Sequence, residues 1–180
     1  GTVDCSDQEP RNDADELRAR FAKAESNDVR CHDDQSAVAM RAAIEATIKS
    51  KDTLGGIVEI AVLGLPVGLG SHVHYDRRID ARLAGALMSI HAAKGVEFGC
   101  GFAVTLRHGT SAQDELRRDG ERIVRDTNRA GGIEGGITNG APLIARTAIK
   151  PIATTIASLQ SVDLATGEAA ATNYERSDFC

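Results

Sequence analysis

The sequence predicts an α+β domain, because helical and strand-like patterns alternate along the chain with short glycine-rich connections between them. Three segments have the apolar spacing of helices, and three apolar runs have the composition of antiparallel-prone strands. The 180 residues are 42% hydrophobic and 26% charged, which fits one domain with a sizeable core. Aromatic residues make up only 3%, so Ile, Leu, Val and Ala must form that core.

The first two helices are predicted over residues 14–24 and 35–50. In the second helix, Met40, Ile44 and Ile48 recur at every fourth position. Side chains at this spacing share one side of a helix, so we expect them to form a single buried face. The pattern assigns no chemistry to this helix.

The third helix is predicted over residues 77–92, with Asp76 as a candidate N-cap. Its many small residues allow close packing, so we expect a central, well-buried helix. Strands are predicted at residues 57–63 and 95–104, the second with a glycine bulge. The loop 64–70 holds Pro and three glycines among apolar residues, which predicts a buried and tightly bent connection.

Residues 131–142 are the most unusual segment, with five glycines within ten positions. Ile133, Ile137 and the apolar strand predicted at 143–149 favour an ordered loop over a flexible linker. Because glycine lets a backbone approach a ligand closely, the loop is expected to hold a flat or phosphorylated ligand with a cation nearby. Its spacing matches neither a P-loop nor a dinucleotide fingerprint, so the pattern does not name the ligand.

Charge and cysteine content exclude several classes of function. The net charge of −5 argues against general affinity for nucleic acids or membrane surfaces, and the few aromatic residues argue against base stacking. The charged run 107–129 predicts a solvated helix or hairpin. No regular spacing relates the four cysteines, so we expect free thiols in a reducing compartment, with Cys100 buried. The cysteines are Cys5, Cys31, Cys100 and Cys180.

A pair of histidines could supply half of a metal site. His72 and His74 would point to one side of an extended segment, but Arg77 and Arg78 follow and would repel a cation. A polar strand edge is therefore favoured, and no metal is expected.

Several blocks of residues, taken together, resemble the chorismate synthase family. They occur in the family's order and at plausible intervals, from about Val29 to Cys180. The blocks are Gly55-Gly56-Ile57-Val58-Glu59, Gly64-Leu65-Pro66-Val67-Gly68-Leu69-Gly70, Ala86-Leu87-Met88-Ser89-Ile90, Lys94-Gly95-Val96-Glu97, Gly101-Phe102, Asn128-Arg129-Ala130-Gly131-Gly132, Gly135-Gly136, Lys150-Pro151 and Arg176-Ser177-Asp178.

The resemblance implies an enzyme of the shikimate pathway that makes precursors of aromatic amino acids. The family converts 5-enolpyruvylshikimate 3-phosphate to chorismate by a 1,4-anti elimination of phosphate. It requires reduced FMN, and NADPH is a candidate reductant for that flavin. The implied fold has antiparallel sheets packed on central helices, in a β-α-β sandwich. The implied protein is a cytoplasmic homotetramer.

The resemblance also implies which residues contact the cofactor and the substrate. Gly135 would allow close flavin approach, and Lys150 would supply a cation. Arg176 would contact flavin and substrate, and the carboxylate of Asp178 would help the flavin act as a base, so both are catalytic candidates. The implied cofactor-binding set is His91, Ala92, Gly135, Lys150, Pro151, Ile152, Ala153, Thr154 and Arg176.

The chain departs from the family pattern in several places. His91 stands where the family usually has an amide, and Ala153 where Ser or Thr is common. The family's N-terminal part and last helix have no counterpart, so residues 1–28 are predicted to be a weakly ordered polar segment and 29–180 a partial domain. None of the five histidines matches the family's two catalytic ones. They are His32, His72, His74, His91 and His108.

From these departures we predict that the 180-residue chain has no activity alone. The alternative hypothesis is a non-catalytic α+β module whose glycine loop binds a nucleotide or a partner.

Overall fold

The computed structural model describes Val3 and residues 9–172. Its helices are Ala14–Glu25 (α1), Asp34–Ser50 (α2), Ile79–Met88 (α3) and Gly109–Ala112 (α4), with 3-10 turns at Tyr75–Arg77 and Gly101–Leu106. Its strands are Gly56–Val62 (β1), Ala93–Phe98 (β2), Leu116–Asp119 (β3), Arg122–Arg125 (β4), Ile133–Glu134 (β5), Ile137–Thr138 (β6), Leu143–Ile149 (β7), Gln160–Val162 (β8) and Ala169–Ala171 (β9). The predicted α+β class is confirmed.

A three-stranded antiparallel sheet, in the order β1-β7-β2, is the centre of the fold. Its middle strand β7 is the most buried element, and Leu143, Ile144 and Ala145 are each at most 3% exposed. Ile133 joins Leu143 and Ala145 in the core, and α3 covers that face of the sheet. Burying each of these larger aliphatic side chains stabilises the fold by about 1.5–3 kcal/mol. The remaining strands form the two-stranded hairpins β3–β4, β5–β6 and β8–β9.

The strands predicted at residues 57–63 and 143–149 are confirmed within one residue. The strand predicted at 95–104 is wrong at its C-terminal end, because β2 stops at Phe98 and a 3-10 turn follows. Gly99 causes this stop. Its φ of +59° turns the chain, and a Cβ there would lie 2.1 Å from the carbonyl oxygen of Arg129. The predicted bulge is found instead between Ala93 and Gly95.

Both aspartates that precede the first two helices act as N-caps. The Asp13 carboxylate accepts hydrogen bonds from the N–H groups of Asp15 and Glu16, and Asp33 accepts one from Ser36. These donors stabilise the charged form and lower the pKa of each capping carboxyl. The predicted helices at 14–24 and 35–50 are confirmed.

The predicted burial of the second helix is wrong. Ile44 is 38% exposed and Ile48 is 49% exposed, and Ala37 is the one buried residue that the structure shows in α2. Among the described elements, none packs extensively along α2, so Ile44 and Ile48 stay largely uncovered while Met40 is half-buried.

The third helix and the loop before it are also more exposed than predicted. α3 begins at Ile79 and ends at Met88, is capped by Arg78 without a side-chain bond, and has no fully buried residue. Asp76 lies in the preceding 3-10 turn and is not the N-cap. In the loop 64–70, Val67 is 73% exposed, so the connection is bent as predicted but not buried.

The charged run 107–129 forms the predicted hairpin, β3–β4. Cys31 and Cys100 are both buried, as expected for Cys100, and burial raises the pKa of the Cys100 thiol. Cys5 and Cys180 lie outside the described residues. In the part of the chain that the structure describes, no helix has the length and apolar character needed to cross a membrane.

The exposure of these apolar side chains gives a first testable expectation. Ile57 on β1 is 71% exposed, so Ile57→Thr should change the free energy of unfolding by less than about 1 kcal/mol. Leu143→Ala, the comparison in the core, should lower it by about 2–5 kcal/mol. Urea denaturation of the 180-residue chain measures both. An equal loss for the two variants would contradict the burial described for β1 and β7.

Candidate functional site

Two segments that the sequence assigns to one site meet at the end of β7. His91 and Ala92 lie in the turn after α3, where Ala92 has a φ of +69°. The carbonyl oxygen of Ala92 accepts a hydrogen bond from the N–H of Lys150 at 2.9 Å. The backbone bond fixes the position of Lys150 relative to the turn and does not depend on the His91 side chain. We call residues 91–92 and 150–154 the lysine corner.

Lys150 is exposed and forms no ion pair with any described residue. The segment after it is anchored, because the Thr53 hydroxyl donates to the carbonyl oxygen of Ile152 at 2.8 Å. Gly55 allows Pro151 to pack closely, since a Cβ at Gly55 would lie 2.9 Å from the Pro151 ring. The lysine corner therefore presents a cation on an ordered backbone, an arrangement that suits an anionic ligand.

The glycine segment 131–142 is ordered, as predicted, and forms the β5–β6 hairpin. We call residues 131–142 the glycine hairpin. Gly135 and Gly136 make its two-residue turn, with φ values of +60° and +85°, as a tight primed turn requires. A Cβ on Gly136 would meet the Arg78 side chain at 2.7 Å, whereas nothing lies within 4 Å of a Cβ on Gly135. Gly135 is thus the open position of the turn.

The other glycines of the hairpin serve packing within the chain rather than ligand approach. A Cβ on Gly131 would lie 2.2 Å from the Gly99 nitrogen, and one on Gly132 would lie 2.6 Å from the Pro142 carbonyl oxygen. At most of its positions in this segment, glycine is therefore required by packing within the chain.

Two buried polar side chains clamp the glycine hairpin to its surroundings. Asn128, 1% exposed, donates to the Pro142 carbonyl oxygen at 2.8 Å and accepts from the Gly132 N–H at 2.9 Å. Thr138, 2% exposed, donates to the carbonyl oxygen of Pro66 at 2.7 Å. The resemblance includes Asn128, but no sequence pattern marks the role of Thr138.

The structure places Gly135 and the lysine corner at opposite ends of α3. The N–H of Ile79, at the start of this helix, donates to the Gly136 carbonyl oxygen at 2.9 Å, whereas His91 follows the helix end. A ten-residue helix is about 15 Å long. A single ligand that touches both Gly135 and Lys150 must therefore extend along α3.

Neither of the two best-formed cavities among the described residues encloses these groups. The larger, of about 680 Å³, lies between the N-terminal residues 9–16 and the β3–β4 hairpin and includes neither Gly135 nor Lys150. The smaller, of about 250 Å³, lies beside Glu134 of the glycine hairpin. The larger volume lies within the range of about 300–1,000 Å³ that is usual for ligand-binding cavities, and the smaller volume lies below it. Among the described residues, Gly135 and Lys150 thus lie outside both of these cavities.

An ion pair stands beside the glycine hairpin. The Arg78 guanidinium donates to the carboxylate of Asp80 and thereby lowers the pKa of Asp80, against the opposing effect of burial. A carboxyl whose pKa is lowered on folding stabilises the fold above its unfolded pKa of about 3.9. That contribution is lost as pH falls through the folded pKa.

Asp80→Asn should therefore destabilise the protein at pH 7 and have a smaller effect as the pH falls through the folded pKa of Asp80, where the carboxylate becomes protonated. Thermal unfolding of both proteins across pH 2–7 measures the difference. A constant difference in stability over that range would contradict the assignment of the lowered pKa to Asp80.

The remaining site predictions concern Arg176, Asp178 and the two histidines of residues 72–74. Arg176 and Asp178 lie outside the described residues. His72 and His74 are exposed in a bend, so the predicted strand edge is wrong. Among residues 9–172, no group of three His, Cys, Asp or Glu side chains is placed to hold a metal.

Comparison with known proteins assigns the chain to a family. The family model described as chorismate synthase matches residues 8–180. The chain belongs to the chorismate synthase family. The match begins well before Val29, so it includes the helix α1 that the resemblance alone did not cover. The family consists of lyases of aromatic amino-acid biosynthesis.

Chorismate synthases from several bacteria are similar to the chain over most of its length. The Thermobifida fusca protein is 48% identical over 178 residues, which is 99% of the chain and 44% of the relative. The Saccharopolyspora erythraea protein is 53% identical over 92% of the chain and 41% of the relative. The Mycobacterium avium protein is 52% identical over 87% of the chain and 39% of the relative. The chain spans less than half the length of these relatives.

A solved structure supports the fold. The match entitled "Crystal Structure of Chorismate Synthase" has a TM-score of 0.75 and 41% sequence identity, and covers 79% of this chain and 43% of the solved one. More than half of the solved chain thus has no counterpart in the present one.

The described residues fit one side of a bound flavin nucleotide. Lys150 offers an exposed cation to an anionic group, and Gly135 offers backbone with open space where a Cβ would otherwise project. The glycine hairpin and the lysine corner are both held by hydrogen bonds within the chain, so they are preorganised for such a ligand. The opposite side of the ligand would have to be covered by other residues.

Proposed function

We propose that this chain is a segment of a full-length chorismate synthase. The reaction is the 1,4-anti elimination of phosphate from 5-enolpyruvylshikimate 3-phosphate, which gives chorismate and requires bound reduced FMN. The observation that supports this function best is the backbone bond from Lys150 to Ala92, because it brings together two segments expected to contact flavin. The family membership of the chain supplies the reaction class.

In this proposal each described residue has a binding or positioning role. Lys150 attracts an anionic part of the cofactor, and the backbone of residues 151–154 donates or accepts hydrogen bonds at the ring edge. Gly135 lets the ring approach the glycine hairpin without a side chain in between. When bound, reduced flavin supplies electron density to the substrate. His91 remains in the proposed cofactor-binding set, and the bond from Lys150 to the carbonyl oxygen of Ala92 does not depend on its side chain.

Two proposed catalytic residues lie outside the described part of the chain. Arg176 presents a planar fork of donors, which suits a carboxylate or phosphate group of the substrate. Asp178, two residues later, is a carboxylate that can hold a proton near the flavin. Both roles rest on the family resemblance of the Arg-Ser-Asp sequence.

The wider properties of the protein are proposed on the same basis. The full-length protein is a cytoplasmic homotetramer, and NADPH is the candidate reductant of its flavin. The 180-residue chain alone is inactive, because it spans less than half the length of its chorismate synthase relatives.

Lys150→Ala tests the proposed binding role. In the full-length protein it should raise the dissociation constant for FMN by about tenfold, equivalent to about 1.4 kcal/mol, because one charge-assisted contact is lost. Quenching of flavin fluorescence measures this constant. Lys49→Ala is the matched control, since Lys49 is exposed on α2 and outside the lysine corner. Equal affinities for wild type and Lys150→Ala would contradict the role of Lys150, whereas no FMN binding by either protein would favour the non-catalytic module.

A further inference from the structure

A buried carboxylate holds the segment that leads into the glycine hairpin. Asp114 lies between α4 and β3 in the charged run 107–129, yet it is only 8% exposed. Burial of a carboxylate is unfavourable unless hydrogen bonds compensate for the lost water. The Asp114 carboxylate accepts three hydrogen bonds in the structure, and all three donors belong to residues 127–130.

The two carboxylate oxygens of Asp114 divide these donors between them. Oδ1 accepts from the Thr127 hydroxyl and, at 2.7 Å, from the N–H of Arg129. Oδ2 accepts from the N–H of Ala130 at 2.9 Å. Two consecutive backbone N–H groups are thus fixed by one side chain, which defines the backbone direction immediately before Gly131.

Hydrogen bonds connect this fixed segment to the glycine hairpin. Asn128, held within the segment, bonds to both Gly132 and Pro142, the two ends of the hairpin. The carbonyl oxygen of Gly132 accepts from the N–H of Asn139 at 3.0 Å, across the base of the hairpin. The orientation of the Gly135 turn therefore depends on a chain of hydrogen bonds that begins at Asp114.

We propose that Asp114 is a positioning residue that sets the orientation of the glycine hairpin and, through it, the affinity of the protein for flavin. Asp114 does not itself touch the ligand, and its effect is exerted through Asn128 and the hairpin. The second part of the proposal rests on the proposed function of Gly135 as a flavin contact. The first part concerns the hairpin alone and does not depend on that function.

Asp114→Asn is the test variant. The amide of Asn keeps one oxygen as acceptor but places an NH2 group opposite the N–H of Ala130, so two donors face each other. Asp163→Asn is the matched control, because Asp163 also accepts from two backbone N–H groups but lies in the exposed β8–β9 turn. Both variants are measured in the full-length protein.

Hydrogen exchange of the amides in residues 131–138, relative to those of β7, reports how readily the hairpin opens from its fixed position. We expect about tenfold faster exchange of the hairpin in Asp114→Asn and no change in Asp163→Asn. Exchange that rises equally in the hairpin and β7 would show general destabilisation and would overturn the proposal. Thr127→Val removes only the hydroxyl donor and should therefore give a smaller increase in the exchange of the hairpin. If neither Asp114→Asn nor Thr127→Val changes the exchange of the hairpin, the proposal is also overturned.

Flavin affinity tests the second part. We expect about a tenfold higher dissociation constant for FMN in Asp114→Asn, with the turnover number restored at saturating FMN. A looser hairpin with unchanged FMN affinity would overturn the link between Asp114 and flavin. If the wild-type protein binds no FMN, the proposed function fails, and the exchange experiment alone decides whether Asp114 positions the hairpin.

Discussion

Gly132→Ala is expected to destabilise the protein by about 3–5 kcal/mol, whereas Gly135→Ala is expected to cost about 1 kcal/mol. Both glycines have positive φ values, +79° and +60°, so the backbone penalty of alanine is similar at the two positions. They differ in their surroundings. A Cβ on Gly132 would lie 2.6 Å from the Pro142 carbonyl oxygen and 2.8 Å from the Leu143 Cα, whereas the space at Gly135 is empty.

The pair of alanine variants therefore separates packing from ligand approach. Urea denaturation of each variant measures stability, and flavin fluorescence in the full-length protein measures FMN affinity. Gly135→Ala should keep the fold but raise the dissociation constant for FMN by about tenfold, because its methyl group projects into the space assigned to the ligand. Similar stabilities for the two variants would contradict the close packing of Gly132 against β7.

Arg146→Ala is expected to destabilise the protein by about 3 kcal/mol. Arg146 lies at the centre of the sheet on β7, with Glu59 on β1 and Glu97 on β2 directly opposite in register. Its guanidinium donates to Glu59 at 2.8 Å and to Glu97 at 3.2 Å, and its side chain is only 11% exposed. These two carboxylates raise the pKa of Arg146, against the effect of burial. Removal of Arg146 leaves two like charges on the strands that flank β7, without the cation between them.

Two further variants decide whether charge is the cause. Arg18→Ala is the control, because the Arg18–Asp15 pair is exposed on α1 and should contribute less than about 0.5 kcal/mol. The triple variant Arg146→Met, Glu59→Gln and Glu97→Gln removes all three charges and should recover most of the loss. Thermal or urea unfolding measures all of them. A triple variant as unstable as Arg146→Ala would show that packing of Arg146, rather than charge, stabilises the sheet.

Local patterns predicted the longer helices and strands but not their burial, and they did not predict short elements such as α4, β8 and β9. The β-branched run at Ile57 and the apolar run at Leu143 are strands because periodicity and composition agree there. The stripe of Met40, Ile44 and Ile48 has the same periodicity, yet Ile44 and Ile48 are exposed. Periodicity shows which side chains share a face, but whether another element covers that face depends on the tertiary arrangement.

For the candidate site, glycine and charge patterns predicted which segments are ordered but not which of their residues are open or buried. The sequence identified the glycine hairpin as ordered, but only the structure distinguishes Gly135, which is open, from Gly132, which is packed. Asp114 lies among residues such as Arg117 and Asp119 that are exposed, and its burial leaves no mark in the sequence. The approach of Lys150 to Ala92 joins positions far apart in the chain and follows from the antiparallel pairing of β2 and β7.

Phosphate release from 5-enolpyruvylshikimate 3-phosphate, measured without oxygen, tests the central claim most directly. The claim is that this chain forms one wall of a reduced-FMN site in a chorismate synthase. We expect release by the full-length protein only when reduced FMN is present, and none by the 180-residue chain under either condition. Release by the full-length protein without flavin, or release by the 180-residue chain itself, would contradict the claim.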